Sequence, residues 1–263
     1  NELKTMKKNI IYLLFLIIPV LILFYDTINY KILDWDDSIY LSNPDIKNLN
    51  IINIFSTVYF GNYHPVTTMT QAFLLKAGNG NSEVFHLFNL ILHILNSILV
   101  FTLFKKFAFN NSFSYLIALI FAIHPMHLES VLWISAGKDL IYSFFYLLAL
   151  IFYIKALMLS NFKYSQKLYL TKLIYVFIFF ILSLLSKSMA ITMPFILLLC
   201  DYYYGKKIDL SAIKEKIPFF ILSFVFAVIT IYSQRIATDT NLDMETYNIV
   251  ERIIIISKAI LLY

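Results

Sequence analysis

Adjacent carboxylates follow the first apolar segment of this 263-residue sequence, in the stretch DWDDSIYLSNPDI. Asp36 and Asp37 are neighbours, and Asp34 precedes them beside Trp35. Paired carboxylates next to an interfacial aromatic side chain suit a general base or a ligand for a hard divalent cation. The alternative is that Asp36 or Asp37 caps a short helix that begins at Ser38, because acidic helix starts are common.

A second polar group lies in FAIHPMHLESVLWISAGKDL, which covers residues 121–140. Pro125 predicts the end of a helix or a kink, and His124, His127 and Glu129 gather at that turn. Two histidines three residues apart with a nearby glutamate could bind a metal ion. A hydrogen-bonded structural cluster is the alternative, and the spacing favours it.

Three basic residues are candidates for contact with a phosphate. Lys138 lies beside Asp139, which predicts either a simple ion pair or a lysine that meets a phosphate. Lys187 interrupts an apolar stretch, so it must be paired, face a polar cavity or extend its ammonium to the membrane interface. Arg235 follows another apolar stretch, and its alternative role is that of an interfacial anchor.

The composition places these residues in a membrane protein. Hydrophobic residues make up 60% of the sequence and charged residues 14%, and the mean hydropathy is +0.76. Runs of 17, 21 and 22 residues without Asp, Glu, Lys or Arg separate Lys8 from Asp26, Glu83 from Lys105 and Lys106 from Glu129. A helix needs about 20 residues to cross the hydrocarbon core. The sequence therefore predicts an all-α polytopic membrane protein. The net charge of +5 is not a nucleic-acid signal, since the lysines follow membrane topology.

Lysine clusters fix the predicted topology, because cytoplasmic loops carry an excess of Lys and Arg. We expect a cytoplasmic N-terminus and about eight transmembrane helices, with a long external loop at 26–83. The expected helices lie near 9–25, 84–104, 110–124 and 140–157, as two half-length helices in 173–204, near 217–233 and from about 251. We expect one membrane domain, 1–263, that is cut off at its C-terminal end.

On this topology, titratable groups concentrate at the external face. Twelve of the 16 acidic residues and all five histidines face outward, which suits a site there. The positive-inside bias alone is the alternative explanation. The acidic residues are Asp26, Asp34, Asp36, Asp37, Asp45, Glu83, Glu129, Asp139, Asp239, Asp243, Glu245 and Glu251. The sequence contains no Walker loop, Rossmann fingerprint, HExxH or GxSxG, so nucleotide-dependent and hydrolase-triad chemistry is unsupported.

Five segments in order resemble one family. These are DWDDSIYLSNPDI, GNYHPVTTMTQ, FHLFNLILHILNSILVF, FAIHPMHLESVLWISAGKDL and LLSKSMAITMPFILLLCDYY. They resemble the membrane domain of bacterial tetratricopeptide-repeat proteins that are similar to the transmembrane O-mannosyltransferase (TMTC) group. The resemblance implies a GT-C-like helix bundle, and C-terminal tetratricopeptide repeats that this chain lacks. His64 and Pro65 stand where animal members have an Arg-Pro.

The resemblance also implies a membrane glycosyltransferase that takes a sugar from a polyprenyl-phosphate donor and passes it to a hydroxyl, as in protein O-mannosylation. Carried over by position, Asp36 and Asp37 would be catalytic, with one of them taking the proton from the acceptor. Lys187, Lys138 and Arg235 would bind the donor phosphate. The residues that would line the site are His64, His124, His127, Glu129 and Asp139.

The expected partners are membrane lipid, the lipid-linked donor, and a protein or glycan acceptor, with other membrane subunits as a further class. A divalent cation held by Asp36 and Asp37 is allowed by the sequence but not required. The preferred location is a bacterial inner membrane with the site on the periplasmic side, or the endoplasmic-reticulum membrane in a eukaryote. Two alternatives stay open: a glycosyltransferase acting on a glycan or lipid acceptor, and a non-catalytic membrane scaffold.

Overall fold

A computed structural model describes residues 2–33, 36–107, 109–161, 166–239 and 248–262. The described residues form helices and connecting turns, and their one β contact is an isolated bridge between Tyr59 and Asn62. The predicted all-α polytopic membrane fold is confirmed. Asp34 and Trp35, together with Asp243 and Glu245, lie outside the described residues.

Thirteen α-helices run through the described residues, joined in part by short 3-10 turns. The helices are α1 (Glu2–Phe24), α2 (Asp36–Ser42), α3 (Pro44–Lys47), α4 (Ile51–Ser56), α5 (Pro65–Ala77), α6 (Ser82–Lys106), α7 (Asn111–Ile123), α8 (Leu128–Leu132), α9 (Lys138–Asn161), α10 (Gln166–Ser186), α11 (Met193–Tyr203), α12 (Leu210–Asp239) and α13 (Ile249–Leu262). The 3-10 turns are Tyr25–Asn29, Pro125–His127, Ser135–Gly137 and Ser188–Thr192.

Fewer helices are long enough to cross a membrane than the sequence predicts. Five qualify among the described residues: Ile10–Asn29, Ser82–Lys106, Ser135–Leu159, Lys167–Ser186 and Ala212–Ile236. A sixth span results if α7 and the Pro125–Leu132 segment, bent by 51°, count as one. The predicted number of about eight is therefore corrected to five or six. Helix α13, with 14 residues, runs to the end of the described residues.

The two half-length helices predicted within 173–204 are replaced by one long helix and one short helix. Helix α10 extends back to Gln166 because Lys172 belongs to it, with its ammonium over the rings of Phe152 and Tyr175 at 5.4 and 5.9 Å. A lysine with its charge over aromatic rings does not end a helix. Lys187 then lies in the break before the short apolar segment Ser188–Tyr203, so the predicted turn at this lysine is confirmed.

The segment predicted as a long external loop, 26–83, is built of short helices. Asn43 and Asn50 cap α3 and α4 by accepting from backbone N–H groups, and Pro44 and Pro65 occupy first-turn positions. Asp45 joins these helices, because its carboxylate accepts from Asn53 Nδ2 at 2.7 Å and from the Tyr59 hydroxyl at 3.1 Å. The segment is consequently an ordered layer over the bundle.

Two apolar clusters hold the bundle together. In one, α1 packs on α6 and α7, where Ala118 and Ala122 let α7 approach closely. In the other, α9 and α10 pack along their lengths around Tyr153 and Phe180, with α11 and α12 beside them. Large apolar side chains such as Phe224 stay exposed, as expected for a surface that faces lipid.

Candidate functional site

Asp37 is anchored inside the protein. Its side chain is 1% exposed at the start of α2, and its Oδ1 accepts from the backbone N–H of Ser135 at 2.8 Å and from the Ser135 hydroxyl. Its Oδ2 is buried and has no hydrogen-bond partner within the described part of the chain. A buried carboxylate with one free oxygen is costly unless a further group meets it, so this oxygen points to a functional position.

Asp36, the neighbouring acid, is exposed. It lies within electrostatic range of Lys138 and of the Tyr40 hydroxyl. Burial raises the pKa of Tyr40 to about 12; the Asn62 side chain acts against this shift, and the charge of Asp36 adds to it. The two adjacent acids therefore differ: Asp37 is fixed in the protein, and Asp36 faces outward beside a cation.

The turn that holds Asp37 is tightly packed. Ser135–Gly137 forms a 3-10 turn directly before α9, so Ser135 and Lys138 lie one turn apart where the chain enters this helix. The segment Ser135–Lys138 is called the corner. A Cβ atom at Gly137 would meet Asn89 Oδ1 at 2.7 Å. Asn89 also donates to the Val131 carbonyl at 3.4 Å, so its amide is held in place. Glycine at 137 thus lets α6 approach the corner.

Lys187 and Asp139 form an ion pair beside this corner. The two side chains are 23% and 31% exposed, so solvent or a ligand reaches the pair. Thr67 on α5 donates to the Ser186 carbonyl at 2.8 Å, which ties the layer of short helices to the residue before Lys187. Lys138 lies in electrostatic range of both members of the pair.

His64 completes the group of polar residues. Burial lowers its pKa to about 3, and the positive charges of Lys138 and Lys187 act in the same direction. The imidazole is therefore neutral at physiological pH. His64, Tyr40, Gln71, Ser135 and Lys138 line a narrow cavity of about 10 Å³, which is near the minimum for one water molecule.

Together these residues form what is called the Asp37 cluster below. It contains Asp36, Asp37, His64, Ser135, Lys138, Asp139 and Lys187. The structure thus gathers both predicted catalytic acids, two of the three predicted phosphate ligands, and two of the predicted lining residues.

The histidine turn forms a separate aromatic group. His127 packs on Phe121 at 4.3 Å and on His93 at 5.4 Å between ring centroids, and His124 Nδ1 accepts from the backbone N–H of Met126. This contact caps the 3-10 turn after Pro125. Glu129 is exposed and lies within electrostatic range of Lys138. The predicted lining residues on this turn are His124, His127 and Glu129. Among them, Glu129 interacts electrostatically with the Asp37 cluster through Lys138.

Arg235 lies at the far end of α12 with its side chain exposed. The preceding residue, Gln234, donates to the Gly61 carbonyl at 3.0 Å, so this end of α12 is tied to the loop before His64. No group of three or more His, Cys, Asp or Glu side chains in the described ranges has the arrangement of a metal site.

Ser135, Tyr40 and Gln71 belong to the surroundings of the site but are not among the residues predicted from sequence. Ser135 is the partner of Asp37, and Gln71 keeps a buried Oε1 without a partner in the described ranges while donating to the Ile134 carbonyl at 3.5 Å. The small-residue run Ser135–Gly137 before a charged pair is the one signal in the sequence that marks this corner.

Three curated proteins share partial similarity with this chain. A protein O-mannosyl-transferase of Caenorhabditis elegans is 27% identical over 131 residues, which is 44% of this chain and 19% of that protein. The human protein O-mannosyl-transferases TMTC1 and TMTC3 are 28% and 29% identical over 114 and 94 residues. These matches cover 38% and 36% of this chain, and 13% and 10% of the human proteins.

The chain therefore spans less than a fifth of the length of these relatives. No family model matches the sequence, and no solved structure matches the fold. At a coarse level, the similarity is to membrane transferases that carry the name O-mannosyl-transferase.

Proposed function

We propose that this protein is a membrane glycosyltransferase that moves a sugar from a polyprenyl-phosphate donor to a hydroxyl group, with a protein Ser or Thr as the preferred acceptor. The observation that carries the proposal is the Asp37 cluster, in which an exposed carboxylate and two lysines stand at the end of an apolar helix bundle. A lipid-linked sugar keeps its tail in the bilayer and its phosphate at the surface, so its reaction centre needs this position.

In the proposed reaction, Asp36 takes the proton of the acceptor hydroxyl while the hydroxyl oxygen attacks the anomeric carbon. The bond from that carbon to the phosphate oxygen breaks, and the polyprenyl phosphate leaves with the electron pair. A positioned general base contributes typically about 10²–10⁴-fold to the rate. Asp37 holds the helix start through Ser135, so we assign it a positioning role.

The lysines supply the countercharge in this mechanism. Lys187 and Lys138 would stabilise the phosphate as it gains charge in the transition state, and fixed cations in a water-poor site are effective in that role. Neutral His64 would contribute hydrogen bonding without adding a third positive charge. Arg235, exposed near the end of α12, is the third cation that we assign to the donor phosphate. We place this end of the bundle on the periplasmic face, following the lysine distribution.

Sugar transfer in isolated membranes tests the proposal. The full-length protein is supplied with a panel of polyprenyl-phosphate sugars, and wild type is compared with Asp36→Asn and the matched control Asp26→Asn at equal expression. Asp26 is also an exposed acid of the external layer, but it lies on the turn after α1. We expect transfer by wild type and Asp26→Asn, and a loss of about 10²–10⁴-fold in Asp36→Asn. Absence of transfer from every donor would favour the scaffold alternative.

A further inference from the structure

A second cavity opens directly below the Asp37 cluster. It has a volume of about 220 Å³ and lies between α9, the end of α7 and the Ser188–Thr192 turn. Tyr142, Tyr146 and Phe121 give it aromatic walls, Ser143 lies on its α9 side, and Met189, which is 58% exposed, lies at its edge. The α9 residues that line the cavity belong to the candidate membrane span Ser135–Leu159.

The Tyr142 ring connects the cavity to Lys187 of the Asp37 cluster. Lys187 Nζ lies 5.8 Å from the centroid of the Tyr142 ring, which also lines the cavity. Ser183 donates to the Tyr142 carbonyl at 2.9 Å and Tyr146 pairs with Thr192 at 3.2 Å, so α9 is held to α10 and to the following turn. Tyr146 lies seven residues after Asp139, about 10 Å deeper along the helix. The Lys187 ammonium thus lies next to one wall of a largely apolar chamber.

The geometry points to this cavity as the subsite for the phosphate-proximal isoprene units of a polyprenyl phosphate. This inference rests on the proposed function, because it assigns the tail of the same donor. In a polyprenyl phosphate, the phosphate is attached directly to the first isoprene unit, so cation and apolar wall must be adjacent, as Lys187 and Tyr142 are. In a diacyl phospholipid, a glycerol and two ester groups separate the phosphate from the acyl chains, so the acyl chains would begin further from the Lys187 ammonium.

Photolabelling tests the subsite without relying on catalysis. Membranes containing the full-length protein are irradiated with a polyprenyl phosphate that carries a diazirine on an early isoprene unit and has no sugar. We expect adducts on peptides that contain Tyr146 or Met189. Unlabelled polyprenyl phosphate should suppress them at least ten-fold more effectively than phosphatidylglycerol at equal excess. Adducts elsewhere, or equal suppression by both lipids, would overturn the assignment.

Variants link the cavity to the reaction. Ser143→Leu adds bulk to the chamber from α9, and Ile221→Phe is the matched control because it adds bulk on an exposed face of α12. We expect Ser143→Leu to reduce labelling at Tyr146 and to raise KM for the donor about ten-fold with a smaller change in kcat. Unchanged labelling and KM in Ser143→Leu would overturn the subsite. Thr192→Phe fills the chamber from an exposed position, so it repeats the test if Ser143→Leu does not fold.

The two proposals fail in different ways. Labelling at Tyr146 in a protein that transfers no sugar would support the lipid-phosphate subsite and contradict the proposed enzyme. Sugar transfer with adducts that map away from this cavity would contradict the subsite while the proposed function stands.

Discussion

Two clusters of charged residues lie at opposite ends of α9, and they differ in how completely their members are paired. The Asp37 cluster stands at Lys138, and the second cluster stands about 22 Å further along the helix, at Tyr153. The second cluster, called the Asp201 cluster, contains Tyr153, Tyr169, Asp201, Lys206, Glu215 and Lys216.

The Asp201 cluster balances its own charges. Lys216 is fully buried and contacts Asp201 at 2.7 Å and Glu215 at 3.0 Å, while Lys206 contacts Glu215 at 2.8 Å. Tyr153 donates to Asp201, and Tyr169 donates to Glu215 at 2.6 Å. Two acids thus meet two lysines with tyrosine hydroxyls between the helices, and no countercharge is missing. A balanced network of this kind suits a structural role.

The Asp37 cluster is incomplete by comparison. Asp37 Oδ2 and Gln71 Oε1 are buried without a hydrogen-bond partner in the described ranges, and Lys187 is partly open to solvent. Incomplete pairing costs stability, and proteins retain such a cost where a ligand completes the set. The comparison therefore supports a structural role for the Asp201 cluster, and it is consistent with the chemical role that we propose for the Asp37 cluster.

The largest expected effect comes from removing one charge from the Asp201 cluster. Lys216→Met leaves Asp201 buried without its cation, and removing one partner of a buried ion pair costs about 3–5 kcal/mol. We expect a marked loss of thermal stability in detergent, measured by unfolding, and a fall in the amount of folded protein. Transfer per folded molecule should stay near that of wild type.

Two further variants sharpen this prediction. Lys214→Ala on the exposed side of α12 is the matched control and should leave stability unchanged. Asp201→Asn combined with Lys216→Met removes both charges and should recover more than half of the lost stability, because no unpaired ion remains buried. A double variant that is less stable than Lys216→Met would contradict the balanced-network interpretation.

The second prediction concerns the anchor of Asp37. Ser135→Ala removes the hydroxyl that donates to the carboxylate, and hydrogen bonds to charged groups contribute about 1.5–3 kcal/mol. We expect a lower kcat with little change in KM for the donor, because only the backbone N–H of residue 135 would then hold Asp37 and the start of α2 would be positioned less firmly. The measurement is initial transfer rates against donor concentration.

Ser97→Ala is the control for this variant, since Ser97 is a buried serine that donates to the His93 carbonyl within its own helix. Its kcat should match that of wild type. Equal kcat values for Ser135→Ala and Ser97→Ala would remove Asp37 from the positioning role.

A smaller effect is expected at the Lys187–Asp139 ion pair. Asp139→Asn frees the Lys187 ammonium for the donor phosphate, and a partly exposed pair contributes roughly 0.2–1 kcal/mol. We expect KM for the donor to fall by up to about five-fold. Lys187→Met should raise KM instead. If Asp139→Asn also raises KM, Asp139 orients the lysine rather than competing for it.

The sequence predicts the local structure around the Asp37 and Asp201 clusters better than it predicts which of their side chains pair. The charge-free runs predict the spanning helices, and Lys187 within LLSKSMAITMP predicts the break after α10, because both signals are contained in adjacent residues. That Asp37 rather than Asp36 is buried depends on Ser135, 98 residues later, and no local pattern reports this contact.

Lys216 illustrates the limit most clearly. The lysine cluster at 206–216 predicts a solvated loop at the cytoplasmic surface, yet Lys216 is fully buried within α12. Its partner Asp201 lies on another helix and its cation–π contact, Tyr153, on a third. The burial of Lys216 therefore depends on contacts with side chains of other helices. Counting charges along the sequence does not reveal these contacts.

At neutral pH the smallest expected effect is at His64, and its pH dependence separates stability from activity. Its pKa in the folded protein is about 3, below the ordinary value of 6.5, so between these two pH values the unfolded chain binds a proton that the folded chain does not. Stability should therefore fall as the pH decreases below 6.5, and His64→Gln should lack this part of the dependence. The measurement is the unfolding temperature of both proteins from pH 4 to pH 8. Transfer rates between pH 6 and pH 8 should have the same profile in both, because His64 stays neutral there. A shift of the acid limb of the rate profile in His64→Gln would instead make His64 a proton-transfer group.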